Sequence, residues 1–237
     1  MHTIPDPMGE ALEAYFNGNS NATIKVISNI TEDDIISVDY LFRRFEQMPE
    51  LEQQALKQCK GKVLDIGAGA GSHALWLQEN GLEVDAFDIS PKAVAVMKSR
   101  GLRNSFEADF WLFQPAEKYD TILLLMNGVG LAGTLDKLPE FLNLLKSWLN
   151  PGGQILLESS DILYMFEDED GSVLLNLNSG YYGEVEYRMA FNRKTGQAFP
   201  WLFIDYALLQ EYATQAGFEV NCLFEGNHGE YLAKLSV

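Results

Sequence analysis

A chain of 237 residues is long enough for one sizeable domain with an elaboration, and 47% hydrophobic with 22% charged residues is the balance of a folded globular protein, not a disordered one. Its 17 Lys and Arg against 34 Asp and Glu leave a formal charge of -17, so the mean surface repels polyanions and nucleic acid is a poor partner. Arg43-Arg44 and Arg193-Lys194 are the adjacent basic pairs, and neither makes a stripe.

Cys59 and Cys222 lack C-x-x-C spacing, and His2, His73 and His228 are scattered without H-E-x-x-H, so no metal motif is visible. Both cysteines read as buried free thiols. Pro5, Asp6, Pro7 and Glu10 do not make a signal peptide, and no apolar run approaches membrane-spanning length; a cytoplasmic location without membrane contact is the expectation.

Residues 1 to about 60 read as a mostly helical extension. Leu12, Tyr15 and Phe16 share one helical face, a polar break at Asn17–Asn21 follows, and Thr23 to Ser28 reads as a short strand. From Val38 the spacing of Tyr40, Leu41, Phe42 and Phe45 is again helical, and Pro49 opens a helix that Gly61 closes.

Next comes Lys62-Val63-Leu64-Asp65-Ile66-Gly67-Ala68-Gly69-Ala70-Gly71-Ser72-His73: an apolar run carrying an acid, three glycines two apart, then a helix start. Glycines let the backbone turn sharply and let a ligand approach the main chain, while N–H groups at the helix start favour negative ligand groups. Asp65, two residues before the first glycine, repels a pyrophosphate but attracts an ammonium. A nicotinamide site wants G-x-G-x-x-G, and Ser72 stands where its third glycine would be.

Val84 to Asp88 is a second acid-ended strand, and an acid about 20 residues past a glycine loop suits a ribose hydroxyl pair. Ser90-Pro91 caps the following helix, which Gly101 closes. Ser105 to Asp109 reads as a third acid-ended strand. Tyr119 to Met126 is a continuous apolar run suited to a central parallel strand, ending at Asn127-Gly128. Leu135 to Trp148 carries a helical apolar stripe, and Asn150-Pro151-Gly152-Gly153 turns into a strand from Gln154 to Ser159.

Asp65-x-Gly67-x-Gly69-x-Gly71, with Asp88 and Asp109 following in order, resembles the motif series of class I S-adenosylmethionine-dependent methyltransferases. The resemblance implies a Rossmann-like, doubly wound α/β sheet of seven strands, the last reversed, with S-adenosylmethionine as cofactor. It places Asp65, Gly67, Ala68, Gly69, Gly71, Asp88 and Ile89 at the cofactor, with Asp88 on the ribose, Asp109 at the adenine amino group, Phe110 against the ring and Asn127 beside methyl transfer. It also implies an N-terminal lid, for which Tyr15, Tyr40, Phe42 and Arg43 are candidates. Against the family's subtypes, Asn127-Gly128 carries no Asn/Asp-Pro-Pro-Tyr, no Pro-Cys nucleophile and no metal-ligating carboxylate, which disfavours the amino-base, cytosine and catechol classes.

Residues 161 to about 203 break the βαβ alternation and read as an antiparallel insertion. A turn falls at Asp168–Gly171, a strand over Tyr181–Phe191 and a second turn at Arg193–Gly196. Most of its aromatics, Tyr164, Phe166, Tyr181, Tyr182, Tyr187, Phe191, Phe199 and Trp201, would pack the insertion, with two or three reaching a ligand. Asp205 to Ala216 is a helix. Phe218–Phe224 and Tyr231–Val237 are joined too closely for a parallel crossover and so make an antiparallel hairpin.

Methyl transfer releases a neutral leaving group, so positioning supplies most of the catalysis and a conspicuous motif is not required. A protonated acceptor also needs a base, with His73, His228, Glu158, Asp161 and the insertion tyrosines as candidates and no catalytic residue singled out. The expected activity is methylation of a small molecule, neutral or cationic. The alternatives are a non-catalytic S-adenosylmethionine-binding module acting through a protein partner, and a nicotinamide oxidoreductase, which Asp65, Ser72 and the terminal hairpin oppose.

Overall fold

The computed structural model describes residues 5–168, 172–173 and 180–237. Helix α1 (Pro7–Phe16) starts because Pro7 presets the first turn and the Asp6 carboxylate accepts the Gly9 N–H at 2.9 Å. Strands β1 (Thr23–Ser28) and β2 (Asp34–Ser37) pair antiparallel. Where the spacing of Tyr40 to Phe45 reads as one helix, the chain instead makes two 3-10 turns, Val38–Phe42 and Phe45–Gln47. Pro49 holds Met48 extended at ψ 147° and so stops a helix from running through into α2 (Glu50–Gln58).

The large sheet is built from β3 (Lys62–Ile66), α3 (Ser72–Glu79), β4 (Glu83–Asp88), α4 (Pro91–Ser99), β5 (Asn104–Glu107), β6 (Tyr119–Leu124), α5 (Leu138–Ser147) and β7 (Leu149–Ser160). After the strands β8 (Glu184–Phe191), β9 (Lys194–Thr195) and β10 (Phe199–Leu202), it is completed by α6 (Tyr206–Gln215), β11 (Glu219–Glu225) and β12 (Glu230–Ser236). Strand order is β11-β12-β7-β6-β3-β4-β5, parallel from β7 to β5, with β12 reversed against both neighbours. This is the expected seven-stranded, doubly wound sheet with a terminal hairpin. The chain reverses its winding between β3 and β6, and the crevice at the carboxyl ends of those strands is where such sheets bind ligands.

Strand alternation divides the core in two. Leu64, Ile122, Ile155 and Leu157 face α5 and α6, while Val63, Ala86, Leu123 and Leu156 face α2, α3 and α4. Counting on by two, Asp65, Asp88 and Glu158 all fall on the second face, toward the carboxyl ends of β3, β4 and β7.

The elaborations form a smaller sheet, β10-β8-β1-β2, with β9 paired to β8. Val26 of β1 sits opposite Met189 of β8, so segments far apart in sequence share one roof. Helix α1 packs under it through Ala11 and Leu12 with Ile24, Ala93 and Phe191. The α1 cap is tied to the α4 cap: Ser90 Oγ donates to Asp6 Oδ2 at 2.5 Å and accepts the Ala93 N–H at 3.0 Å. Within the insertion, the Asp168 N–H donates to the Ser172 carbonyl at 2.8 Å; residues 169–171 of the turn expected there lie outside the described residues, as does His2. The expectation of two buried thiols is corrected: Cys59 is half-buried, and Cys222 is exposed because it lies on the outer strand β11.

The roof meets the large sheet where the Trp201 indole lies on Gly130, in the 3-10 turn Gly128–Ala132: a Cβ added there would sit 2.0 Å from Trp201 Cε2. Gly130→Ala is therefore expected to cost about 1–3 kcal/mol and to lower Tm by several degrees in thermal unfolding; a shift under about 1 °C would show the contact to be loose.

Candidate active site

The glycine loop after β3 is held in left-handed backbone, with φ of +68°, +54° and +78° at Gly67, Gly69 and Gly71. A Cβ at Gly67 or Gly69 would enter open space, whereas one at Gly71 would meet Met97 Cγ at 2.9 Å. The first two glycines thus face a ligand space and the third lets α4 pack closely. Asp88 organises this loop: its Oδ2 accepts the Gly69 N–H and its Oδ1 the Ser90 N–H, both at 2.9 Å. The Ile89 N–H bonds the same carboxylate, so one of its four lone pairs is left for a ligand.

Asp65 is 2% exposed and its Oδ2 has no hydrogen-bond partner. Burial pushes its carboxyl up to about 6, the Asp88 charge adding to this and His73 and the Ala74 N–H opposing it. A buried, half-satisfied carboxylate costs stability until something cationic meets it.

Across the crevice, Met126 and Asn127 close β6 in left-handed backbone, φ +56° and +57°. Two successive non-glycine residues there store on the order of 1–2 kcal/mol each. Both N–H groups turn onto Glu158: Met126 donates to Oε2 at 2.7 Å, and the Asn127 N–H also bonds the carboxylate. The Asn127 side chain is tied back to β7, Oδ1 accepting from Ser160 Oγ at 2.9 Å. Burial pushes the Glu158 carboxyl up to about 7 against those N–H bonds, with Glu52 raising it further and His73 lowering it.

A buried polar chain backs these acids. Arg43 donates to Glu52 Oε1 and to the Tyr40 carbonyl, while Glu52 Oε2 meets His73 Nε2 at 2.8 Å. Burial works to raise Glu52, but hydrogen bonds and charges of His73 and Arg43 hold it below the ordinary carboxylate value. Arg43 Nε is buried and unpartnered.

These groups line one cavity of about 780 Å³ that runs from the glycine loop to the underside of the small sheet. Of the residues that the sequence nominates for the cofactor, Asp65, Gly67, Ala68, Gly69, Asp88 and Asn127 line it, and Gly71, Ile89, Asp109 and Phe110 do not. Phe110 is the clear departure: it is 5% exposed, its ring 4.9 Å from Phe141 and 5.3 Å from Trp148, so it belongs to the core and offers no face for stacking. Ile89, next in the chain to the lining Asp88, is 67% exposed. Strand β5 stops at Glu107, and Asp109 Oδ1 accepts the Trp111 N–H at 2.8 Å in the loop beyond.

Among the nominated bases, Glu158, His73 and the insertion's Tyr187 line the cavity. Asp161 accepts from Tyr182 Oη at 2.7 Å, Tyr181 Oη donates to Asp205 at 2.8 Å, and the exposed His228 is held by its N–H on Glu230; none of these reaches it. Of the insertion aromatics, Tyr187, Phe199 and Trp201 line the wall. Tyr40 and Arg43 reach the cavity, whereas Tyr15 and Phe42 stack on each other, centroids 4.6 Å apart, in the α1 core. Glu52, Phe203 and the thioethers of Met8, Met126, Met165 and Met189 also line it and carry no motif. A smaller cavity of about 520 Å³ touching Arg44, Trp76 and Arg100 includes none of the three acids.

Fold and site together define a Rossmann-like α/β protein with a nucleoside-binding loop. The family described as a methyltransferase domain matches residues 40–223. A solved S-adenosylmethionine-dependent methyltransferase from Bacteroides fragilis, in complex with S-adenosyl-L-homocysteine, is 43% identical over 99% of this chain and 98% of its own, with a TM-score of 0.92. At the level of fold alone, the amino pentose methyltransferase CalS10 of Micromonospora echinaspora is 16% identical over 87% of this chain and 99% of its own (TM-score 0.55). An S-adenosylmethionine-dependent methyltransferase of Clostridium acetobutylicum is 13% identical over 84% and 96% (TM-score 0.60). No curated protein matches significantly. The chain belongs to the class I S-adenosylmethionine-dependent methyltransferases.

Asp65→Asn keeps an oxygen for the Ala74 N–H and removes the buried charge. Because burial raises the folded carboxyl from 3.8 to about 6, its penalty is absent below pH 4 and complete above pH 6. The substitution is expected to stabilise the free protein by roughly 2–3 kcal/mol at pH 8 and by almost nothing at pH 4, measured by denaturant unfolding at both pH values.

Proposed function

We propose that this methyltransferase acts on a small-molecule acceptor that enters beneath the small sheet. The observation that carries this reading is that the glycine loop with Asp65 and Asp88 opens into the same cavity as an aromatic wall, Tyr187, Phe199 and Trp201. A non-catalytic cofactor-binding module working through a protein partner would have no use for that second chamber. Its enclosure by the roof suits a small ligand better than a polymer.

The residues present fit S-adenosylmethionine. The unpartnered Oδ2 of Asp65 answers an ammonium, the open spaces at Gly67 and Gly69 admit a ligand against the main chain, and Asp88 keeps an acceptor site for a ribose hydroxyl. Arg43, with its free Nε, stands ready for a carboxylate. When bound, the cofactor supplies an electrophilic methyl on a sulfonium. The chain's own task is to orient the acceptor, exclude water and accept any proton the acceptor must lose. Tyr40 and Arg43, on the 3-10 segment that α2 follows, make the N-terminal segment from residue 5 to about 60 the cover of this site, with the Asp6–Ser90 contact holding α1 down beside the ribose position.

Calorimetry tests the reading. S-adenosylmethionine and S-adenosylhomocysteine are expected to bind in the micromolar range and NAD not at all, and Asp88→Ala is expected to weaken both by about a hundredfold. Binding of NAD alone would overturn it.

A further inference from the structure

The cavity is unbalanced in charge. Among the described residues its lining carries eight carboxylates against one guanidinium, that of Arg43, which is paired with Glu52 and keeps only its Nε free. Asp65 and Asp88 serve the donor end. What remains, beyond Glu52, is Glu158, with Glu230, Glu32, Asp34 and Glu50 lining the same space. The same cavity is lined by rings and methionines: Tyr187, Phe199 and Trp201, with Met126, Met165 and Met189. Carboxylates and aromatic rings in one lining suit a cation and repel an acid. The orphaned buried atoms of the same lining, Asp65 Oδ2 and Arg43 Nε, mark the cavity as built around ligands and not as packing defects.

Resting on the methyltransferase reading, we propose that the acceptor is a primary or secondary amine with an apolar flank, and that Glu158 holds its ammonium and receives the proton that must leave before nitrogen can be alkylated. Glu158 is placed for this by the two N–H groups of Met126 and Asn127, which fix the carboxylate and leave two of its four lone pairs for a ligand. The step balances simply. An N–H bond of the ammonium breaks and its proton passes to a Glu158 oxygen, leaving a neutral amine. The nitrogen lone pair then forms the N–CH3 bond as the S–CH3 bond breaks, its electrons staying on sulfur as a neutral thioether. The product is a methylated ammonium, and Glu158 returns its proton to water when that product leaves.

The groups facing Glu158 set the pH range. Glu52 of α2 raises it and His73 of α3 lowers it, Tyr40 of the first 3-10 turn lies within its field, β6 contributes two N–H groups, and its neighbour on β12 is the apolar Leu232. With the carboxyl near 7, amine binding should strengthen as pH rises from 6 to 8.

The test uses wild type, Glu158→Gln and Glu158→Asp. S-adenosylhomocysteine binding is measured first by calorimetry; its loss in wild type would defeat the methyltransferase reading itself. With that product bound, arylalkylamines and their alcohol isosteres are titrated at pH 6 and 8. Amines are expected to bind wild type roughly tenfold tighter at pH 8, and alcohols to show no pH dependence. Glu158→Gln is expected to keep S-adenosylhomocysteine affinity within about twofold while losing on the order of thirtyfold for amines, together with their pH dependence; Glu158→Asp recovers part of both. Equal amine affinity in wild type and Glu158→Gln, tighter binding of the alcohols, or no amine binder in wild type would each overturn the proposal.

Discussion

Three carboxylates on one face of a parallel sheet govern this molecule. The alternation that buries Val63, Ala86 and Leu156 under α2, α3 and α4 carries Asp65, Asp88 and Glu158 onto the same side, toward the strand ends where the helices give way to a cavity. Each is driven toward its neutral form by burial, and each is only partly answered by protein. Asp88 has three backbone N–H groups, Glu158 has two, and Asp65 keeps a bare oxygen. The free protein thus stores unfavourable electrostatics that a cationic ligand relieves, which is binding energy placed in advance.

The rest of the fold serves that arrangement. The αL backbone at Met126 and Asn127 orients two N–H groups that an ordinary strand end would point elsewhere, and the Ser160–Asn127 bond pins it. The Arg43–Glu52–His73 chain couples the N-terminal segment to α3 behind the acids, so the wall and the cover are one construction. The roof closes because β1 and β8 pair across the length of the chain and Trp201 lands on Gly130, where any side chain would hold it off.

Much of this was legible in the sequence because it rests on local rules. Glycine spacing, acids at strand ends, the Ser90-Pro91 cap and the short final hairpin each have a near-neighbour cause, and together they specify the large sheet and the family. The misses have non-local causes. β2 is a four-residue edge strand whose partner, β1, is supplied by the fold and not by a strong pattern of its own. Phe110 follows an acid in the expected place, yet two further rings, Phe141 and Trp148, draw it into the core. Glu158 reads as one acid among several; only the left-handed turn opposite, hinted at by Asn127-Gly128, singles it out.

The central claim is that cationic groups of the ligand ionise acids that the free protein holds partly protonated. Calorimetry of S-adenosylhomocysteine binding at pH 6, repeated in buffers of different ionisation enthalpy, measures this directly. The account requires release of on the order of half a proton per site, abolished in Asp65→Asn. No net release, or proton uptake, would contradict it.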